Sequence, residues 1–468
     1  MDYNKLPVNS FENFNLSWTP DRKNLKRPCY LALANALEAD IVSGKLASGT
    51  RLPPQRELAD FLELNFTTVT RAYDLCREKS LIYGVVGKGT FVAPYSSGKP
   101  ALNTVRNSSP YIELGVVKGF DKLKAPVIEA SKSVLQKGYI EELYTYTEPA
   151  GHLHQRAAGA HYMAQMDVRT DSEHTAIFSG AQNVISAALL SLFRIGDKIA
   201  VDEYTYSNLI GTARLSHIRL VPIKGDTSGM SADELKCACV NGDIKGVFLM
   251  PNCANPTTCT IPEKRKDELA EVIAAHRLTL IEDDNTGIPP ICGGSYHSMF
   301  YRLPEQTVYI CSSTMALCSG LRVAFAAFPE TFKEPLLNAL FHLNIKTSSL
   351  DAEIMTELIL SGKAAKMLEQ KSLLAAKRNK IFDGIFPEAA PPGCPDAFFR
   401  WLPVRETGLD GAAIEREMLK RNVNIYSSHR FTVLRNPGKF LRVAISSPSD
   451  DGQLEKGLLL LRDFLLEL

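Results

Sequence analysis

The sequence predicts two folded parts: a small head of three helices closed by a β-hairpin, and a large α/β domain with a mainly parallel sheet covered by helices. Three observations predict this. Residues 25–93 carry three short amphipathic segments and then a glycine-centred pair of β-rich runs. Residues 94–110, "PYSSGKPALNTVRNSSP", have the composition of a linker. Residues 111–468 alternate β-branched runs with amphipathic segments, the pattern of strands joined by crossover helices. Residues 1–24 are left as an N-terminal arm.

The bulk numbers agree. A chain of 468 residues exceeds one ordinary domain of roughly 100–200. With 45% hydrophobic and 22% charged residues it has a globular composition. No apolar run approaches the roughly 20 residues that span a bilayer, and "MDYNKLPVNSFENFNLSW" lacks a signal-peptide core, so a cytoplasmic protein is expected. Ten scattered cysteines without a CxxC pair predict neither a zinc site nor a disulfide framework. Net charge is +1; the first hundred residues are slightly basic, with 13 Lys and Arg against 10 Asp and Glu, which by itself decides nothing.

In the head, "PCYLALANALEADIVS" places Leu31, Leu33, Ala36, Leu37 and Ile41 on one helical face. In "TRLPPQRELADFLELN", Pro53 and Pro54 suit a helix entry, and Leu58, Phe61 and Leu62 make its inward face. After a short turn, "FTTVTRAYDLCREKSL" turns Val69, Ala72, Tyr73, Leu75 and Cys76 inward. Two helices joined this way form a helix-turn-helix, whose second helix enters the major groove. Its leading residues Thr67, Thr68, Thr70 and Arg71 offer small donors and a cation for base edges and phosphates. "LIYGVVGKGTFVAP" then reads as a hairpin around Gly87, Lys88 and Gly89, with Lys88 placed to meet phosphate. The plain alternative is a protein-interaction module with a solvated Lys88.

The stretches "GTRLPPQRELADFL", "TTVTRAY" and "GKGTFV", in this order, resemble the GntR family of bacterial transcription regulators. The resemblance implies double-stranded DNA as partner and DNA contacts at Arg56, Thr67, Thr68 and the Gly87–Gly89 turn. It departs at Phe66, where an arginine is common in the family, so base preference at that contact differs.

In the large domain, "TAIFSG", "KIAVDE", "IRLVPI", "GVFLMP", "LTLIEDD", "TVYICSS" and "VAFAAFP" read as strands, and "AQNVISAALLSLF" and "EKRKDELAEVIAAHR" as helices between them. Ligands of such sheets sit at the carboxyl ends of the strands. There, Gly180, Ala181 and Gln182 open a helix and form an anion cradle. "PNCANPTT" supplies Asn255, "IEDDN" supplies Asp283, and Ser312, Thr314 and Arg322 bracket a second phosphate-friendly spot. Arg442, in "KFLRVAISS", is suited to clamp a carboxylate. Taken singly, each also has a structural role open to it: a cap for Asp283, a surface ion pair for Arg442.

Taken in order, these residues resemble the fold-type I aminotransferases that use pyridoxal 5′-phosphate (PLP), and their fusion to a GntR head resembles the MocR group of regulators. The resemblance covers the chain from about residue 25 to its end. It implies a smaller C-terminal α+β subdomain, a homodimer, phosphate held by Gly180–Gln182, Ser312 and Arg322, and a ring stacked on Tyr206. It also implies Asn255 on the ring hydroxyl, Asp283 on the ring nitrogen, and Arg442 on an effector or substrate carboxylate. The family's Schiff-base lysine, seven residues before the loop arginine, is here Met315. A side chain without an amine can neither form the imine nor move the proton of transamination. The family's tyrosine after the aspartate is replaced by Asn285 and Thr286, and its "NPTG" turn reads "NPTT", with Thr258. The expected protein is thus a metabolite-sensing regulator without transaminase chemistry. The alternative is an aminotransferase-like enzyme with a DNA-binding head, working with pyridoxamine phosphate (PMP) or another base. Two ligand readings stand side by side. The pocket holds PLP or PMP non-covalently, which Asp283 favours, or it serves a different anionic metabolite clamped by Arg442 and Arg322; a scaffold with no ligand is the third outcome.

Overall fold

Helix α1, Cys29–Val42, buries Leu33, Leu37 and Ile41, an i, i+4 stripe, together with Ala34. The computed structural model describes residues 16–42, 45–46, 49–78, 81–85, 89–92, 111–120, 122–284, 297–389, 392–405, 408–434 and 436–468. These fall into two units, divided between residues 104 and 105. The expected linker therefore lies outside the described residues.

In the first unit, α1 packs on α3, Phe66–Glu78, and so does α2, Gln55–Phe61. Val69, Ala72, Tyr73 and Cys76 of α3 are fully buried. The Tyr73 hydroxyl donates to the Pro53 carbonyl at 2.9 Å, tying α3 to the turn that starts α2. Strands β1, Ile82–Val85, and β2, Gly89–Val92, pair antiparallel as the hairpin. Gly89 sits at φ +111°, and a Cβ there would lie 3.0 Å from Arg51 Nε, so only glycine suits this hairpin. Two expected core residues are corrected. Leu31 is 39% exposed, because it lies off the stripe run by Leu33, Leu37 and Ile41; Phe61 is 37% exposed, because α2 ends there and Leu58 and Leu62 fill its inner face. The core also takes in Trp18, whose indole N–H donates to the Asp40 carboxylate at 2.8 Å. Folded structure thus begins inside the stretch expected as an arm.

In the second unit the strands run in chain order as β3 (Ile112–Glu113), β4 (Thr175–Phe178), β5 (Lys198–Asp202), β6 (Arg219–Ile223), β7 (Gly225–Asp226), β8 (Gly229–Met230), β9 (Ile244–Leu249), β10 (Thr279–Asp284), β11 (Thr307–Ser312), β12 (Ala324–Ala327), β13 (Phe399–Pro403), β14 (Val423–Asn424), β15 (Tyr426–Ser427) and β16 (Phe440–Ala444). The main sheet has the order β4-β12-β11-β10-β9-β5-β6. It is parallel except for β12, which runs against both neighbours. All seven expected strand runs form this sheet. Both faces are covered, as a parallel sheet requires. Val308 and Ile310 of β11 pack with the helices Ala181–Leu192 and Glu330–Asn344. Tyr309 and Cys311, pointing the other way, pack with the helices Leu153–Met163 and Ser349–Leu360. A smaller antiparallel sheet, β13-β16-β15, forms the C-terminal subdomain, and β3 joins it by pairing in parallel with β14.

Candidate functional site

In the second unit the expected residues come from strand ends and from the smaller sheet. Gly180, at φ +87°, caps the helix that Ala181 and Gln182 begin, leaving their N–H groups without helical acceptors. The Arg322 guanidinium lies directly over this turn: a Cβ on Gly180 would stand 2.5 Å from its Nη2. Arg322 also donates to Thr314 Oγ1 at 3.4 Å, and Ser312 Oγ accepts the Thr314 N–H at 3.3 Å. Gly180, Ser312, Thr314 and Arg322 therefore share one spot at the mouth of the sheet. Gln182 Nε2 donates to Thr212 Oγ1, while its Oε1 is buried without a hydrogen-bond partner.

Asp283 is 2% exposed near the end of β10, and its Oδ1 has no hydrogen-bond partner. Burial, and then the charge of Asp284, push its pKa up to about 7. Its neighbours on the strand face the other way and are satisfied. Glu282 accepts the N–H groups of Met299 and Phe300, and Asp284 accepts the Tyr309 hydroxyl at 2.9 Å. Burial and next the charge of Asp283 push the Tyr206 hydroxyl up to about 12, and the charges of Arg322 and Arg442 also act on it.

Arg442 is 6% exposed and donates to Asn255 Oδ1 at 2.9 Å and to the Gly115 carbonyl at 2.6 Å. Its Nε has no hydrogen-bond partner, and burial lowers its pKa to about 10, so it stays a cation at neutral pH. Thr258 holds φ +62°, the left-handed conformation that suits a glycine, which costs a threonine about 1–3 kcal/mol.

Met315 is half-buried, and its side chain packs on the core shared by β11 and the helix Ser349–Leu360. Its carbonyl accepts from Lys371 Nζ at 3.2 Å, as the Leu317 carbonyl does at 2.7 Å. Lys333 pairs with Glu173, and Lys346 donates to the Thr145 carbonyl, Thr147 and Ser349. Sequence reasoning missed Lys371, which is far off in the chain. It also missed Gly119, where a Cβ would collide with the Met315 carbonyl; a lone glycine in "VKGF" gives no signal. Asn285 and Thr286 lie outside the described residues. An open groove of about 640 Å³, lined in part by Arg169, His174, Phe300 and Glu330, contains none of the site residues.

In the head, Asn65 caps α3: its Oδ1 accepts the Thr67 N–H at 3.0 Å and the Thr67 hydroxyl at 2.9 Å. The Thr70 hydroxyl lies 2.9 Å from Gln55 Oε1 and 3.1 Å from the Phe66 carbonyl. Its proton is spent inside the head, which makes Thr70 a pin between α2 and α3. Thr68 is half-exposed. Arg56 and Arg71 are exposed; the first stands 5.7 Å over the Phe66 ring and the second 4.1 Å over Tyr30. Gly87 and Lys88 lie outside the described residues.

The fold and these sites define a DNA-binding head of the winged helix-turn-helix kind joined to a fold-type I aminotransferase-like domain. Residues 29–92 match the bacterial regulatory proteins of the gntR family, and residues 114–458 match aminotransferase class I and II. The chain belongs to the aminotransferase class I and II family, among the gntR-headed, MocR-type regulators. It is 33% identical to the uncharacterized HTH-type transcriptional regulator YdeF of Bacillus subtilis, over 99% of this chain and 100% of that one. The probable rhizopine catabolism regulatory protein MocR of Rhizobium meliloti is 23% identical over 76% of each chain. The vitamin B6 salvage pathway transcriptional repressor PtsJ of Salmonella typhimurium is 24% identical over 79% of this chain and 84% of its own. Among solved structures, an archaeal alanine:glyoxylate aminotransferase shares the fold at TM-score 0.70 and 20% identity, covering 76% of this chain and 91% of its own. No helix among the described residues is long and apolar enough to cross a membrane.

Proposed function

We propose that this regulator binds DNA through its head as a cytoplasmic homodimer, and that its large domain binds a pyridoxal-type phosphate non-covalently, without transaminating. The observation that carries the ligand reading is the Asp283 carboxyl, buried near the end of β10 with one oxygen unpartnered. A buried carboxylate is costly unless a cation or donor meets it, and a protonated pyridine nitrogen is both. The phosphate falls to the first N–H groups of Ala181 and Gln182, with Ser312, Thr314 and Arg322. Tyr206 takes the ring face, Asn255 the ring hydroxyl, and Arg442 the carboxylate of an amino acid. When bound, PLP supplies an electrophilic aldehyde. This chain offers it a thioether at position 315, so the protein holds and orients the ligand but lacks the amine that would shuttle a proton. A ligand that fits one arrangement of the two heads better than another shifts the dimer toward it.

The test is an absorbance titration of the purified chain with PLP, followed by borohydride reduction and intact mass. A spectral change with no mass gain supports the proposal. A reduced adduct would return the enzyme reading, with a different lysine as nucleophile. No binding would mean a pocket reassigned to another anion or to none.

For the head, Arg56→Ala and Arg71→Ala each weaken operator binding and lower the slope of log affinity against log salt by about 1. Unchanged affinity and slope in both variants would remove these arginines from the interface.

A further inference from the structure

Phe66 opens α3, and at 43% exposure it is the most exposed of the large apolar side chains described in the head. It lies on the same helical stripe as Val69, Tyr73 and Cys76, all fully buried, but beyond the point where the core ends. Around it, two of the three threonine hydroxyls of the leading turn are engaged within the head. The Thr67 hydroxyl is held by Asn65 and the Thr70 hydroxyl by Gln55. Arg56 stands over the ring at 5.7 Å, which fixes its guanidinium beside the helix start. The helix start therefore presents an apolar ring flanked by a cation, with the half-exposed Thr68 beside it.

We propose that Phe66 is a specificity-determining residue that reads thymine, packing its ring on the C5-methyl of one thymine in each half-site while Arg56 takes an adjacent phosphate. This rests on the DNA-binding reading of the head. The chemistry selects the base: the thymine methyl is the apolar feature of the major-groove edge, and a phenyl ring leaves the donors and acceptors of guanine or cytosine unmet. Burying one methyl is worth about 0.8 kcal/mol, or roughly fourfold in affinity. The competing role, a core residue at the edge of its stripe, would change stability and not base preference.

The experiment uses the full chain and a pool of randomised duplexes to find its preferred sequence, then exchanges each selected thymine for deoxyuridine, which removes only the methyl. At one position per half-site, deoxyuridine lowers wild-type affinity roughly fourfold. The same exchange has no effect on Phe66→Ala, which keeps the wild-type unfolding midpoint. Phe66→Arg shifts the selected base there from thymine to guanine. An unchanged thymine preference and methyl effect in Phe66→Ala overturns the assignment while leaving DNA binding intact. A wild-type chain that selects no sequence overturns the regulator reading, and this assignment with it.

Discussion

Asp283→Asn weakens binding of PLP on the order of 100-fold, equivalent to about 3 kcal/mol for removing one partner of a buried charged pair. Without ligand the same substitution works the other way, and pH separates the two effects. Asp283 carries an ordinary carboxyl pKa of 3.8 in the unfolded chain and one of about 7 in the folded protein, chiefly through burial and secondly through Asp284. Between these values the folded state holds a proton that the unfolded state has lost, so stability at this site falls as pH rises from 4 to 7. Asparagine carries no such proton. At pH 5 the ligand-free variant is the more stable by only about 1.6 kcal/mol. At pH 8 the variant is the more stable, by as much as about 4 kcal/mol at ~1.4 kcal/mol for each pKa unit. A ligand with a cationic ring nitrogen gives the ionised carboxylate its partner, so PLP raises the unfolding midpoint of wild type at pH 8 and not that of the variant. Denaturant unfolding at both pH values, with and without PLP, checks all of this. A wild type indifferent to pH in that comparison would mean Asp283 already has a partner in the empty protein.

The seven strands of the main sheet were legible because each is a short β-branched run closed by polar or glycine residues, and because covering both faces leaves no ambiguity of side. The same regularity placed Asp283 and Ser312 at strand ends. What the sequence hid depends on contacts between distant segments. Nothing near Arg442 indicates that it reaches Asn255, 187 positions away, and so joins the smaller sheet to the "NPTT" loop. Nothing in "LEQKSLL" indicates that Lys371 holds the carbonyls of the loop carrying Met315. The head shows a subtler limit. Periodicity puts Phe61 on an inward stripe, but it cannot say where the core ends, and Phe61 lies at a helix end where it does.

Glu353 is the clearest case of a residue without local signal and with a large expected effect. Its side chain is 1% exposed in the helix Ser349–Leu360. It accepts hydrogen bonds from Lys137 at 3.0 Å, Tyr139 at 2.7 Å, His154 at 2.6 Å and Gln155 at 2.8 Å. Burial alone would raise its pKa, but the bonds from Tyr139, Gln155, His154 and Lys137 outweigh burial and bring it down to about 2. Residues 137–139 and 154–155 lie on either side of the segment whose Thr145 carbonyl and Thr147 hydroxyl hold Lys346, so this carboxylate fixes both ends of that segment. Glu353→Ala leaves Lys137 with Glu357 alone, at 2.9 Å, takes from Tyr139, His154 and Gln155 their shared acceptor, and destabilises the protein by about 2–3 kcal/mol. Glu353→Gln keeps the shape and one acceptor oxygen and costs roughly half as much. The depressed pKa sets the acid behaviour. The contribution is fully present above the usual glutamate pKa of 4.5 and is lost as pH falls through about 2, so the gap between wild type and Glu353→Ala narrows across that window. Urea unfolding of the three proteins at pH 7, repeated at pH 3, measures it. An alanine variant within 1 kcal/mol of wild type at pH 7 would mean that the four donors find water or other acceptors and that the carboxylate is not what holds these segments.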